Sequence, residues 1–392
     1  MAMMADPEET KQRRVLVFSL AYLPHIGGAE IAVREITARM QGLSFDVVTL
    51  ALDPNSPRIE DIGNVRIHRV GKRIPRAFKL HKTLFPFIAA RYARRLHRAK
   101  PFSLVWSIMA NRAGFAALFF KKRYPDAPFV LTLQEGDPLE YILRKTRFVS
   151  KWFREIFLRA DIITAISEFL ADFARSMGAV NPVLVIPNGV DYGRFHGKGD
   201  PALVQSLRER FTDNGGQSLL VTVSRLVHKN AVDTIIRSLL ELPENVKLLV
   251  IGTGPLQPYL IALAAELGVS ARVLFLGDIP HSKLPSYLSI ADIFVRPSRT
   301  EGMGNVFIEA MAAGIPVIAT TVGGIRDFLR DGENALAVDV DDPHGLAEKV
   351  KNILNNSGLA ERLAEGGDKT ALLYDWNGIA EEMRKVFHTL WA

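Results

Sequence analysis

The chain has 392 residues, no cysteine, 48% hydrophobic and 23% charged residues, which suits two globular domains and excludes disulfides, thiolate chemistry and a low-complexity disordered chain. The net charge of +7 is uneven: Lys plus Arg outnumber Asp plus Glu 29 to 18 up to Tyr192, and trail them 20 to 24 beyond it. The basic first half therefore calls for an anionic membrane surface, a phosphate-bearing acceptor or nucleic acid.

No apolar run reaches the length of a membrane span, and residues 1–10 lack the basic-then-apolar order of a secretion signal. The expected location is the cytoplasm, or the inner face of a membrane if the basic half meets lipid. Residues 14–20 read as a buried strand feeding Pro24-His-Ile-Gly27-Gly28-Ala-Glu30 and a helix over 31–40. Strand, glycine turn and helix form the phosphate-facing unit of a doubly wound sheet, though the third glycine of a dinucleotide fingerprint is missing. A tight turn that needs glycine only for steric reasons is the plain alternative. Strands follow over 45–50 and 65–70. Residues 72–100 then hold ten Lys and Arg and no acid, interleaved with Phe78, Leu80, Leu84, Phe85, Phe87 and Ile88. Such a stretch can lie on an anionic membrane, or be a solvated helix packed by its apolar side. No nucleic-acid-binding motif accompanies it, so nucleic acid is not an expected partner.

A strand over 103–108, a helix over 113–122 and a strand over 129–133 lead into Gln134-Glu135-Gly136-Asp137-Pro138. Polar groups at a strand's carboxyl end, with Gly and Pro shaping the turn, are placed to meet a ligand. A strand over 161–166 precedes Ser167-Glu168, which reads as a helix cap. A strand over 183–186 and the turn Pro187-Asn188-Gly189-Val190-Asp191 close this half, with Asn188 and Asp191 read as turn chemistry. Residues 195–216 read as linker and entry helix.

The second half opens with a strand over 218–223 and the loop Ser224-Arg225-Leu-Val-His-Lys229-Asn230. Two fixed cations there can neutralise a diphosphate, Arg by a forked contact and Lys as a point charge. Surface ion pairs are the alternative. A strand over 246–251 ends in Gly252-Thr253-Gly254-Pro255 before a helix to 267, without the third glycine or the acid of a nicotinamide site. A strand over 272–276 ends in Gly277-Asp278-Ile279-Pro280. Strands over 291–295 and 315–319 flank the run from Arg296 to Gly314. In that run Glu301-Gly302-Met303-Gly304 is a loop, and a helix follows from Asn305 to 313. Small residues let backbone N–H groups face a ligand, and a helix start adds about half a positive charge. Glu309 follows Glu301 by eight positions, so a loop carboxylate and a helix carboxylate can serve two sets of hydroxyls. A βαβ crossover with an exposed Glu is the alternative. Gly323-Gly324, a strand near 335–338, a helix from 343 and an amphipathic helix over 376–391 complete the chain. The alternation predicts an α/β fold with two doubly wound sheets. Internal repeats, P-loops, zinc-ligand spacings and nucleophile elbows are absent from the sequence.

The run Glu301-Gly-Met-Gly-Asn-Val-Phe-Ile-Glu309-Ala-Met-Ala-Ala-Gly314 resembles the signature of the retaining glycosyltransferases of the group-one family, glycosyltransferase family four. Arg225 and Lys229 stand at that family's spacing, Gly27-Gly28 is similar to its first glycine loop, and Pro187 to Asp191 resembles its crossover between domains. The resemblance covers nearly the whole chain. It implies the GT-B fold, with two Rossmann-like domains facing each other across a cleft. The acceptor-side domain would span 1–195 and the nucleotide-sugar-binding domain 196–375, with a last helix over 376–392 crossing back to the first.

The implied reaction is retaining, metal-independent transfer of a sugar from a nucleotide-diphosphate sugar to a hydroxyl, with a lipid- or glycan-linked acceptor and a role in glycan or cell-envelope polysaccharide biosynthesis. No cofactor is implied beyond the donor, a UDP-sugar being favoured over a GDP-sugar. By resemblance, Glu301, Arg225, Lys229 and Gln134 are the catalytic set. Gly28, Gly302, Met303, Gly304, Asn305, Val306, Glu309 and Ile279 would bind the donor, Glu309 at the ribose hydroxyls and Ile279 near the base. Gly27 and Glu135 would face the acceptor. A second carboxylate close to Glu301, as a retaining hydrolase uses, is not evident. The expected route is therefore same-face attack through an ion-pair-like transition state, with Glu301 orienting. Gln134 stands where the family often has His; its amide can donate to and accept from a hydroxyl but does not titrate. That departure leaves open a non-catalytic nucleotide-sugar-binding protein, and a sugar-nucleotide epimerase could share the fold.

Overall fold

The structure is a computed structural model and describes residues 13–25, 27–71, 78–212 and 216–391. Residues 72–77 of the basic stretch and the Gly215 position of the linker lie outside these. The chain divides into two compact units. One comprises Met1–Glu135, Leu139–Pro187 and Asn377–Ala392, the other Gly136–Pro138 and Asn188–Trp376. Residues 188–195 thus group with the second unit.

The first unit is built on an eight-stranded sheet. Its strands are β1 (Arg13–Phe18), β2 (Leu43–Leu50), β3 (Ile59–Ile62), β4 (Val65–Val70), β5 (Leu104–Ile108), β6 (Phe129–Leu133), β7 (Ile162–Ala165) and β8 (Val183–Val185). The order is β3-β4-β2-β1-β5-β6-β7-β8, parallel throughout except that β3 runs antiparallel to β4. Val15, Leu16, Val17 and Phe18 are fully buried, as strands covered on both faces require. The helices of this unit are α1 (Gly28–Ala38), α2 (Phe78–Ala99), α3 (Arg112–Arg123), α4 (Leu139–Thr146), α5 (Ser150–Arg159) and α6 (Glu168–Ser176). Phe85, Ala89 and Ala93 of α2 are buried, so one apolar side of the basic stretch belongs to the core. Asp46 on β2, buried with His68, sits between Arg14 Nη2 at 2.8 Å and His68 Nε2 at 2.7 Å, Arg14 being partly exposed.

The second unit carries a six-stranded parallel sheet in the order β11-β10-β9-β12-β13-β14. These are β9 (Ser218–Val223), β10 (Val246–Ile251), β11 (Val273–Gly277), β12 (Ile293–Arg296), β13 (Val317–Ala319) and β14 (Leu336–Ala337). Its helices are α7 (Tyr192–His196), α8 (Pro201–Phe211), α9 (Val232–Ser238), α10 (Gln257–Glu266), α11 (Leu284–Leu288), α12 (Asn305–Ala312), α13 (Pro343–Leu354) and α14 (Ser357–Leu372). The linker expected over 195–216 therefore contains the helix α8, started by Pro201 behind the Asp200 cap.

The last helix, α15 (Trp376–Thr389), returns the chain to the first unit. There Phe387 meets Trp106 edge-on at 5.5 Å, and Trp391 Nε1 donates to Ser103 O at 3.1 Å. Among the described residues no helix is long and apolar enough to cross a membrane.

Candidate active site

In a parallel sheet, ligands meet the carboxyl ends of strands where the strand order reverses. In the second unit that point lies between β9 and β12. The loop after β9 carries Arg225 and Lys229; the loop after β12 carries Glu301, Gly302, Met303 and Gly304. The topology thus brings the two predicted loops together.

The first loop is held by backbone contacts. Leu226 N donates to Thr253 O at 2.9 Å and Leu256 N to Leu226 O at 3.0 Å, so the Gly252-Thr253-Gly254 turn braces it. A Cβ on Gly254 would stand 2.4 Å from Leu226 O, which is why that turn needs glycine. Asn230 Nδ2 donates to Arg225 O at 2.6 Å. Arg299 N donates to Lys229 O at 2.7 Å, and the Arg299 side chain bonds His228 O, Asp233 and Asp341. The backbone that carries the two cations is therefore fixed, while the Arg225 side chain is exposed. Lys229 Nζ donates to Gly136 O, and a Cβ on Gly136 would lie 2.8 Å from that nitrogen. Burial, and then the neighbouring Arg296 and Arg225 charges, hold the Lys229 ammonium below its ordinary pKa; Glu301 and Asp137 oppose that shift.

Glu301 is buried and bonded at both carboxylate oxygens. Arg296 Nη2 donates to Oε2, and its own neighbour Gly302 N donates to Oε1 at 3.1 Å. Arg296 also reaches Asn230 Oδ1 at 2.9 Å, which ties the β12 loop to the β9 loop. Gly304 is the N-cap of α12 with φ +87°. A Cβ there would stand 2.5 Å from the Phe307 ring, so both the left-handed backbone and the ring demand glycine. Asn188 N donates to Met303 Sδ at 3.3 Å, and Asn188 Nδ2 to Asn305 Oδ1 at 3.2 Å. Met303 and Val306 are buried, so the apolar side chains of this loop face the protein. Glu309, further along α12, lies 2.8 Å from His281 Nε2. Ile279 is half-buried in the loop after β11, two residues before that His281.

In the first unit, Gly27 and Gly28 open α1 and are exposed. Gly27 has an extended backbone, φ −131°, that any residue adopts, and its N–H donates to Glu30 Oε2 at 2.8 Å. Gln134 and Glu135 follow β6 and are buried. The Glu135 carboxylate accepts from Ala110 N at 2.7 Å and from Gln134 N at 2.9 Å. It therefore holds the loop after β5, where Met109 adopts φ +68°.

The sequence assigns no site role to Arg296, Asn230 or His281. Asn188 was read as turn chemistry, yet it buttresses the glycine loop; Asp191 does cap α7 through Arg194 N. Among the described residues no group of three or more His, Asp or Glu could hold a metal ion.

Residues 204–370 match the family described as glycosyl transferases group 1, and residues 27–189 match the glycosyl transferase 4-like domain. The chain belongs to the group 1 glycosyltransferases. It is 29% identical to the GDP-mannose-dependent alpha-(1-6)-phosphatidylinositol monomannoside mannosyltransferase of Mycobacterium tuberculosis, over 94% of this chain and 97% of that one. Among solved structures it is similar to sucrose-phosphate synthase from Thermosynechococcus elongatus, with a TM-score of 0.84 at 23% identity, covering 97% of this chain and 99% of that one. An Anabaena protein solved in complex with UDP superposes with a TM-score of 0.79 at 18% identity, covering 96% and 100%. The fold is that of the GT-B glycosyltransferases, two parallel-sheet Rossmann-like domains, as the alternating elements implied.

Proposed function

We propose that this glycosyltransferase retains anomeric configuration and moves a sugar from a nucleotide-diphosphate sugar to a hydroxyl on a lipid- or glycan-linked acceptor. The second unit binds the donor and the basic first unit takes the acceptor. Arg225, Lys229 and the start of α12 stabilise the charge that grows on the departing diphosphate. Backbone N–H groups from Gly302 to Asn305 hold the sugar, Glu309 takes ribose hydroxyls, and Ile279 lies near the base. Gly28 allows close approach to the donor and Gly27 to the acceptor, and Gln134 positions the sugar. The bond from the anomeric carbon to the diphosphate oxygen breaks, the acceptor oxygen attacks the same face, and its proton leaves with the diphosphate.

The observation that carries this reading is the state of Glu301. A carboxylate bonded at both oxygens, to Arg296 and to Gly302 N, is suited to orienting a sugar and poorly suited to attacking it. A covalent route would also want a second carboxylate about 5 Å away, and Glu309 is engaged by His281. Two protein cations at the diphosphate can do the work of a divalent ion, so turnover should survive a chelator. The relatives differ over the base: one is named GDP-mannose-dependent and another holds UDP.

The experiment is product analysis by NMR. UDP- and GDP-sugars are incubated alone, then with lipid-linked and glycan acceptors, with and without chelator. A product of the donor's own anomeric configuration supports the reading. An inverted product sinks retention, and loss of turnover with chelator sinks metal independence. Interconversion of donors without acceptor points to an epimerase.

A further inference from the structure

The first unit leaves large apolar side chains in solvent. α4 has no buried residue. Phe148, on the turn Arg147–Val149 between α4 and α5, is 85% exposed, and Trp152, one turn further on, is 49% exposed. The opposite face of α5 is packed, with Phe153, Ile156 and Phe157 buried. Phe148 and Trp152 are thus an outward stripe beyond a complete core. A helix of eight residues is marginal in water without a buried face, so α4 gains from a covering surface.

The charges indicate what covers it. From Tyr141 to Arg154 the chain carries five Lys and Arg and no acid. The next acid, Glu155, is already paired with Lys122 and Arg159. The start of α2 adds a second apolar stripe at helical spacing, Leu80, Leu84 and Phe87, exposed by 58%, 39% and 57%. The stripes share one positive field. Lys82 of α2 feels Arg112 of α3 and Lys145 of α4, whose repulsion adds to burial in lowering its pKa. Between the end of α4, α5 and the end of α6 lies a groove of about 680 Å³, with Leu143, Leu158 and Met177 beside Lys151, Arg154 and the paired Glu155.

We infer that this face docks on an anionic lipid bilayer, with Phe148 and Trp152 seated at headgroup depth and the surrounding Lys and Arg over lipid phosphates. Aromatic side chains among basic ones are the composition of an interfacial anchor. A second copy of the chain is a poor occupant, because a two-fold contact would set the same cations against each other. The inference rests on the proposal that the basic first unit takes a lipid-linked acceptor, and it makes the α4–α5 apex, rather than the 72–100 stretch alone, the inserted element.

The test is sedimentation of the full chain with phosphatidylcholine vesicles, with and without phosphatidylglycerol. The wild type should bind the anionic vesicles alone and release as salt rises. Phe148→Ser with Trp152→Ser should weaken binding at least about tenfold, with the melting transition unchanged. Neutralising Arg147 or Lys151 should weaken it about fivefold each. Brominated lipid should quench the wild type more than Trp152→Phe. Binding unaffected in the Phe148/Trp152 variant, but lost when Leu80 and Leu84 become Ser, overturns the inference and leaves the 72–100 stretch as the membrane element. Failure of the wild type to bind any vesicle overturns the inference, while the proposed transfer stands or falls on the product analysis. A dimer in solution that the Phe148/Trp152 variant abolishes assigns the face to a second copy and overturns the inference.

Discussion

Lys229 is the residue whose environment makes the sharpest prediction. Burial first, then Arg296 and Arg225, hold its ammonium below the ordinary lysine pKa. Its charge is therefore lost as pH rises, before the usual value of about 10.4 is reached. In that window the unfolded chain binds the proton that the folded chain has shed, so stability without ligand rises with pH. Diphosphate binding has the opposite sign, since it needs the charged form. Calorimetry should show UDP or GDP affinity falling through this alkaline window in the wild type and holding in Lys229→Arg. Lys229→Ala and Arg225→Ala should each lose at least about tenfold in affinity, the worth of a charge-assisted contact. Unchanged affinity in both removes the diphosphate from this loop. Gln134 and Glu135 separate by the same logic. Glu135 accepts two backbone N–H groups. Glu135→Gln turns one acceptor into a donor and should lower stability by about 1–3 kcal/mol, read by urea unfolding. Gln134→Ala should lose turnover more than stability, and Gln134→His should keep activity. Full activity in Gln134→Ala takes that residue out of the site.

At the scale of elements, the buried Asp46 binds β1, β2 and β4 through Arg14 and His68. Burial pushes its carboxyl up, but the hydrogen bond from His68 and the charge of Arg14 outweigh that and hold it below the ordinary value. The stability it contributes is present above about pH 3.9 and is lost as pH falls through the lower folded value. Asp46→Ala should destabilise the first unit by about 3–5 kcal/mol near neutrality, and the gap from wild type should close in strong acid. A gap constant down to pH ~2 would contradict this. The elements also show what a sequence can disclose. Arg225, Lys229, Glu301 and Gly304 were legible because the strand–loop–helix pattern around them is local. Asn230 with Arg296 was not, because that pair forms only once β9 and β12 lie side by side, and Asn188 with Asn305 was not, because 117 positions separate them in the chain. β3 was hidden by its edge position, where Glu60 and Asp61 carry no apolar alternation. α4 was hidden for a related reason, since no core selects its residues.

For the whole molecule, the two units should respond differently to ligand. A nucleoside diphosphate at 100 times its Kd stabilises what it binds by about 2.7 kcal/mol. Urea unfolding followed by hydrogen exchange should place that gain in amides of residues 188–376, with β1 to β8 little changed. Equal protection in both units would contradict a nucleoside diphosphate held mainly by the second. The return of α15 to the first unit has a consequence for how the chain is made. Phe387, the partner of Trp106, is synthesised after the whole of Asn188–Trp376. At 5–20 residues per second a ribosome takes roughly 10–40 s to cross that interval. During it β5 stands complete while the ring that covers Trp106 does not yet exist. A nascent chain stalled before α15 therefore presents a tryptophan to chaperones that the finished protein conceals.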